Sequence, residues 1–265
     1  MNGARATPRL VFGPSVQPGE RMLPEETAVA LSFNGTTQAV MMATPADLVD
    51  FGTGFALTEG IATKDEILSI TVETLPKGRD VQIWLTPKAE ARLAARRRTM
   101  TGPVGCGLCG IDSLVQALRE VPAVPPSPFR MSPAQVMAAI ANLPGQQRLH
   151  DATRAVHCAA FWAGHLTLAR EDVGRHNALD KLVGAMARSG TSPEGAVVLT
   201  SRVSIDMVQK VAMLRAPMLI AVSAPTADAV ALAEVAGITL IALARSDRFE
   251  VFTHSDRLTE DSHVG

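Results

Sequence analysis

The chain has 265 residues, enough for one large domain or two modest ones around a sizeable core. Hydrophobic residues make up 47% and charged residues 19%, with 20 Gly and 17 Pro, which excludes a disordered chain, a coiled coil and a collagen-like fibre. Lys plus Arg (25) balances Asp plus Glu (26), so no global field draws the protein to nucleic acid or an anionic membrane, and any anion site must be local.

Residues 1–25 are punctuated by Pro and Gly without a sustained period and read as an extended lead-in. Residues 26–121 read as an α+β subdomain. It opens on ETAVALSF and TTQAVMM around Asn34-Gly35, a pair that suits the two positive-φ positions of a type I′ hairpin turn. A helix follows, with Thr44 as N-cap, Pro45 in the first position, Asp47 at N3 and Gly60 as its stop. ITVETL and VQIWL around PKGRD form a second hairpin, and a helix from Pro87 ends in Arg96-Arg97-Arg98. Four prolines within VPAVPPSPF mark residues 122–130 as a linker.

Residues 131–265 read as an α/β domain. Ser132-Pro133 caps a helix to Asn142, AVHCAAFW and HLTLA form a hairpin around Ala163-Gly164, and a helix runs from Arg175 to Ser189 with Gly190 as its stop. Strand AVVLT, a helix from Ser204 to Arg215, strand MLIAVS, a helix from Thr226 to Ala236 and strand ITLIALA then alternate. Near-continuous Val, Ile and Leu strands separated by helices predict a layered, mostly parallel sheet with helices on its faces. No apolar run approaches the roughly 18 residues of a membrane span. Three cysteines form no disulfide framework, so the expected setting is the cytoplasm.

Two of those cysteines, Cys106 and Cys109, lie in TGPVGCGLCG just ahead of the helical run IDSLVQAL. Backbone N–H groups and a helix N-terminus lower a thiol pKa, and flanking glycines allow movement. Structural zinc needs four ligands, and a second pair of matching spacing is missing. A zinc nucleobase deaminase needs His-x-Glu upstream, yet the first His of the chain is His150. Thiol–disulfide exchange and persulfide relay both remain open. Cys158, mid-strand among apolar neighbours, reads as core.

The other candidates sit where strands end. EDVGRHNALDK places Arg175 and His176 at the positive end of a helix, where cations need an anionic ligand or carboxylate partners. Ser201 and Arg202 follow AVVLT, Ser223 and Thr226 follow MLIAVS, and Arg245-Ser246-Asp247-Arg248 follows ITLIALA. In parallel α/β sheets ligands bind at the carboxyl ends of strands, so this set predicts a phosphorylated or nucleotide-like ligand. Gly105, Gly107 and Gly110 have G-x-G-x-x-G spacing but follow a helix rather than a strand, and no Walker A loop is present, so hydride transfer and nucleotide hydrolysis have no support.

TPADLVDFGTGFALTEGI, GCGLCG, AREDVGRHNALDKLVG, TSRVSIDMVQKVAMLRAP and SAPTADAVALAEVAGITLIALAR, in that order, make the chain resemble the FdhD family of formate dehydrogenase accessory sulfur carriers. The resemblance implies a core similar to the cytidine deaminase-like fold and a homodimer. It implies a sulfurtransferase-type carrier that accepts sulfur from a cysteine desulfurase. The sulfur passes to the molybdenum or tungsten bis(molybdopterin guanine dinucleotide) cofactor before that cofactor enters formate dehydrogenase. Cys106 matches the persulfide-bearing cysteine and Cys109 its companion. Residues Leu243, Ala244, Arg245, Ser246, Asp247 and Arg248 match the segment ascribed to the cofactor, where guanine nucleotide also binds. A cofactor-binding chaperone that transfers no sulfur is the alternative.

Overall fold

A computed structural model describes residues 3–100 and 121–259. At the N-terminus β1 (Ala4–Phe12) and β2 (Val16–Pro24) pair antiparallel as a two-stranded ribbon. The lead-in is therefore extended as expected, but paired. Ala6, Pro8, Leu10 and Phe12 stand opposite Met22, Glu20, Pro18 and Val16, so the alternation is there. Pro8 and Pro18 hide it from a sequence reading, and edge strands tolerate proline because one side of each strand has no ladder to complete.

The next sheet has the order β4-β3-β6-β5, built from β3 (Thr27–Phe33), β4 (Thr36–Ala43), β5 (Ile67–Leu75) and β6 (Gly78–Leu85). Both predicted hairpins are present, and Asn34 (φ 47) and Gly35 (φ 77) take the positive-φ positions of the first. The two central strands run parallel, and helix α1 (Leu48–Thr58) links the two hairpins, its Phe51 clustering with Val29, Leu31, Phe33, Val81 and Ile83. Helix α2 spans Pro87–Met100. The start of α1 differs from the sequence expectation: its N-cap is Asp47, in the left-handed region at φ 55, not Thr44. Thr44 is instead committed to the other layer, where its amide donates to Asp172 Oδ2 (3.0 Å) and its Oγ1 accepts from the Val173 amide (3.2 Å).

Beyond an irregular stretch at 121–130, α3 (Pro133–Asn142) begins with the Ser132–Gln135 capping box, and a six-residue helix α4 (Arg148–Thr153) follows. The large sheet has the order β12-β11-β10-β9-β7-β8. Its strands are β7 (His157–Trp162), β8 (Leu166–Asp172), β9 (Ala196–Leu199), β10 (Met218–Ala221), β11 (Thr239–Ala242) and β12 (Glu250–Val251). The expectation of a mostly parallel sheet needs correction. Only the β9–β10 and β10–β11 pairs are parallel, while β7–β8, β7–β9 and β11–β12 are antiparallel. The Ala163-Gly164 hairpin causes the two β7 pairings, because it reverses β7 beside β8, β9, β10 and β11, which share one direction, and the short β12 returns antiparallel on the far edge.

Every residue of β9, β10 and β11 is buried. Val197, Leu199, Leu219 and Leu240 face α5 (Arg175–Ser189), α6 (Ile205–Leu214) and α7 (Ala227–Ala236), while Val198, Ile220 and Ile241 face α3. This two-sided burial explains why these strands read as unbroken apolar runs.

The small sheet docks on the large one through α1 against α5. Their crossing is glycine on glycine: a Cβ on Gly54 would lie 1.7 Å from Asp180 O, and one on Gly184 would lie 1.9 Å from Asp50 O. Buried ion pairs flank the crossing. Lys181 Nζ donates to Asp172 Oδ2 (2.5 Å) and to Thr44 O (2.9 Å). Lys210 Nζ donates to Asp180 Oδ1 (2.9 Å) and Glu59 Oε1 (2.8 Å), and Asp50 takes Arg170 and Arg188. Burial works against the Lys210 charge, but Asp180 and Glu59 outweigh it and its pKa is raised.

Candidate functional site

Because β8, β9, β10 and β11 run in one direction, their carboxyl ends meet at one edge of the large sheet, and β7 begins there, His157 standing opposite Asp172. Four loops at this edge carry the candidate residues of the second half of the sequence. The two catalytic candidates of the first half, Cys106 and Cys109, lie outside the described residues.

At the end of β8 the acid-rich turn resolves into two groups. Asp172 is fully buried: its Oδ1 accepts from the Gly174 amide (2.8 Å) and Asn177 Nδ2 (2.9 Å), while Oδ2 serves Thr44 and Lys181. Asp180 belongs to the Lys210 pair. Both carboxylates therefore join the two layers, and neither orients His176. That role falls to Asp206 in the first turn of α6, whose Oδ2 contacts His176 Nε2. Burial opposes the Asp206 charge, but His176 outweighs it and holds the carboxyl well below its usual range. Arg175 Nε is buried and has no hydrogen-bond partner among the described residues. His157 is pushed below its ordinary pKa by burial first and by the Arg175 charge second.

The next two loops divide between capping and exposure. Ser201 is buried and donates to Arg202 O (3.1 Å), while Arg202 is exposed. Thr226 Oγ1 accepts from the Ala229 amide (3.3 Å) as an ordinary N-cap of α7, and Ser223 gives its carbonyl to the Leu243 amide (3.2 Å).

The loop after β11 opens a cleft of about 150 Å³ lined by Leu243, Arg245, Arg248, Phe249 and Glu250. Leu243 holds a left-handed φ of 50, a strained conformation for a branched side chain and one that clusters at ligand-binding turns. Arg245 Nη1 is anchored on Val222 O (2.6 Å) and Ala244 O (2.9 Å), and the Arg245 amide closes the turn on Arg248 O (2.7 Å). The Arg245 guanidinium is thus pre-positioned although exposed, Ser246, Asp247 and Arg248 are likewise exposed, and Ala244 is buried. Sequence reasoning missed Phe249 and Glu250 of this cleft, and Asp206 and His157 of the neighbouring corner. Asp206 had a visible signal, an acid in the first turn of a helix that starts at the same sheet edge.

Cys158 packs with Ala160, Trp162 and Val198, and burial pushes its thiol up to about 12. This agrees with a core role. Among the described residues no group of three or more His, Cys, Asp or Glu could hold a metal ion, and no described helix is long and apolar enough to cross a membrane.

These features define an α/β protein of three sheets, the largest of which gathers arginine and histidine side chains at its carboxyl edge. The FdhD/NarQ family model matches residues 24–259, and the chain belongs to that family. Sulfur carrier protein FdhD of Agrobacterium fabrum is 52% identical over 244 residues, covering 91% of this chain and 90% of its own. The protein of the same name from Brucella abortus is 50% identical over 248 residues, covering 92% of each. A crystal structure from Desulfotalea psychrophila, described as a formate dehydrogenase accessory protein, superposes with a TM-score of 0.75 at 25% identity, over 97% of this chain and 99% of that one.

Proposed function

We propose that the protein is a cytoplasmic sulfur carrier serving formate dehydrogenase. The observation that carries this reading is that the family match of residues 24–259 spans both the Cys106-Gly-Leu-Cys109 sequence and the cationic sheet edge. The Cys106 thiolate attacks the terminal sulfur of a cysteine desulfurase persulfide. A new S–S bond forms on Cys106, the desulfurase S–S bond breaks, and the desulfurase cysteine leaves as thiolate. The cargo acceptor is the Mo-bis(molybdopterin guanine dinucleotide) cofactor, or its tungsten form, which is a substrate and not a resident group. Arg245 and Arg248 suit its phosphates, and Leu243 and Phe249 offer apolar contact beside them. Cys109 acts at release: attack on Cys106 Sγ expels the terminal sulfur as sulfide and leaves a disulfide that a cellular thiol reduces.

The carrier works as a homodimer, and its larger layer resembles the cytidine deaminase-like fold, a reading supported by a first strand, β7, reversed against the co-directional β8, β9, β10 and β11. The rival reading, a cofactor chaperone with dispensable cysteines, shares the sheet edge but not the persulfide. Intact-mass spectrometry after incubation with a cysteine desulfurase and free cysteine separates them. The carrier gains one sulfur atom, Cys106→Ala gains none, and Cys109→Ala still gains it. A wild-type chain that gains no sulfur overturns the reading. For the edge, Arg245→Ala with Arg248→Ala weakens guanosine diphosphate binding, and unchanged affinity removes that assignment.

A further inference from the structure

The cleft after β11 takes up only part of the cationic edge. At the other end of the same edge, three elements converge. The start of β7 brings His157, the first turn of α5 brings Arg175 and His176, and the first turn of α6 brings Asp206. The acids that face this corner are already committed. Asp172 of β8 is saturated by Thr44, Gly174, Asn177 and Lys181, and Asp206 is held by His176. One turn further along α5, Asp180 and Glu59 of α1 are neutralised by Lys210, while Glu171 of β8 caps α4 through the Leu149 and His150 amides. Arg175 is left without an ion pair among the described residues, its Nε buried and unpartnered, at the positive pole of a 15-residue helix. A cation so placed is unfavourable unless an anion joins it. His176 is held through Nε2 by Asp206, and its ring stays part-exposed.

We propose that this corner is a second oxyanion subsite, in which Arg175 and His176 contact a phosphate-class group and Asp206 is the positioning residue that fixes the His176 ring. Two strand spacings, about 10 Å, separate the end of β9, beside the corner, from the end of β11. The two subsites therefore suit one extended ligand with anionic groups spaced along it. This deepens the proposed cofactor site and rests on that reading for the identity of the ligand, though not for its charge.

The test is calorimetric binding of three probes, inorganic pyrophosphate, guanosine diphosphate and uncharged guanosine, to the full chain. Arg175→Gln and His176→Gln weaken pyrophosphate and guanosine diphosphate about tenfold and leave guanosine within about twofold. Asp206→Asn weakens both anions several-fold, and Asp206→Glu restores most of that loss, a rescue that a purely structural role would not produce. Anion affinities within twofold of wild type in both the Arg175 and His176 variants overturn the subsite. So does an equal loss for guanosine, which marks general damage, or a wild-type chain that does not bind pyrophosphate. If pyrophosphate binding obeys these substitutions while guanosine diphosphate does not bind at all, the nucleotide reading falls and the oxyanion subsite stands.

Discussion

Gly184→Ala tests the joint between the two layers. Inside a helix, Gly to Ala normally stabilises by about 1 kcal/mol, because Ala loses less conformational freedom on folding. Here the added Cβ would lie 1.9 Å from Asp50 O, 2.7 Å from Asp50 C and 2.9 Å from Gly54 N, all of them backbone atoms that no rotamer change can move. Ordinary contact begins at 3.4 Å, so α1 must retreat by about 1.5 Å from α5. A gap of that size forfeits much of the dispersion energy along the crossing and stretches the Lys181–Thr44 and Asp50–Arg170 contacts. Overpacking of this kind costs about 3 kcal/mol, leaving a net loss of about 2 kcal/mol after the helix gain. For a chain of this size that lowers the thermal midpoint by roughly 4–8 °C. Differential scanning calorimetry reads the shift directly. An unchanged or raised midpoint would refute the glycine-on-glycine crossing, since a helix glycine in open space gives a shift of the opposite sign.

Three further outcomes follow from the buried polar groups. Lys181→Met leaves Asp172 buried without its cation and lowers stability by about 3 kcal/mol, measured as a reduced urea midpoint; an unaltered midpoint contradicts the pairing. His157 has its pKa depressed below 6.5, so as pH falls through that value the unfolded chain takes up the proton first, and stability is lost progressively toward the folded pKa. Thermal midpoints from pH 7.5 down to 5.5 therefore fall less steeply in His157→Gln than in wild type, and parallel curves would count against this. Cys158, its thiol raised to about 12, does not react with an alkylating agent in the native protein at neutral pH, so Cys158→Ala leaves the number of rapidly labelled thiols unchanged; a fall by one disproves its burial.

Local chemistry made much of this fold readable. Asn34-Gly35 fixed a hairpin because its turn needs two positive φ values, Ser132-Pro133 fixed the start of α3, and Gly190 at φ 71 fixed the end of α5. What depended on distant partners stayed hidden. Thr44 has every feature of an N-cap, yet Asp172 and Val173, some 130 residues away, take its polar groups. The six-residue α4 has little intrinsic reason to form, and Glu171 anchors its first turn from another strand. The site divides the same way. Residue types at strand ends located the edge and the Arg245 turn. Which acids were spent on buried lysines, and which one held His176, became visible only when α1, α5 and α6 were packed together.

The most direct test of the central claim is formate dehydrogenase activity in cells that lack their own carrier, supplied with this chain or its Cys106→Ala form at matched expression. The account predicts that the wild-type chain restores activity and that Cys106→Ala restores none, although it remains folded and still binds guanosine diphosphate. Restoration of full activity by Cys106→Ala would contradict sulfur transfer through that thiol and leave the proposed cofactor site at the sheet edge as the protein's contribution.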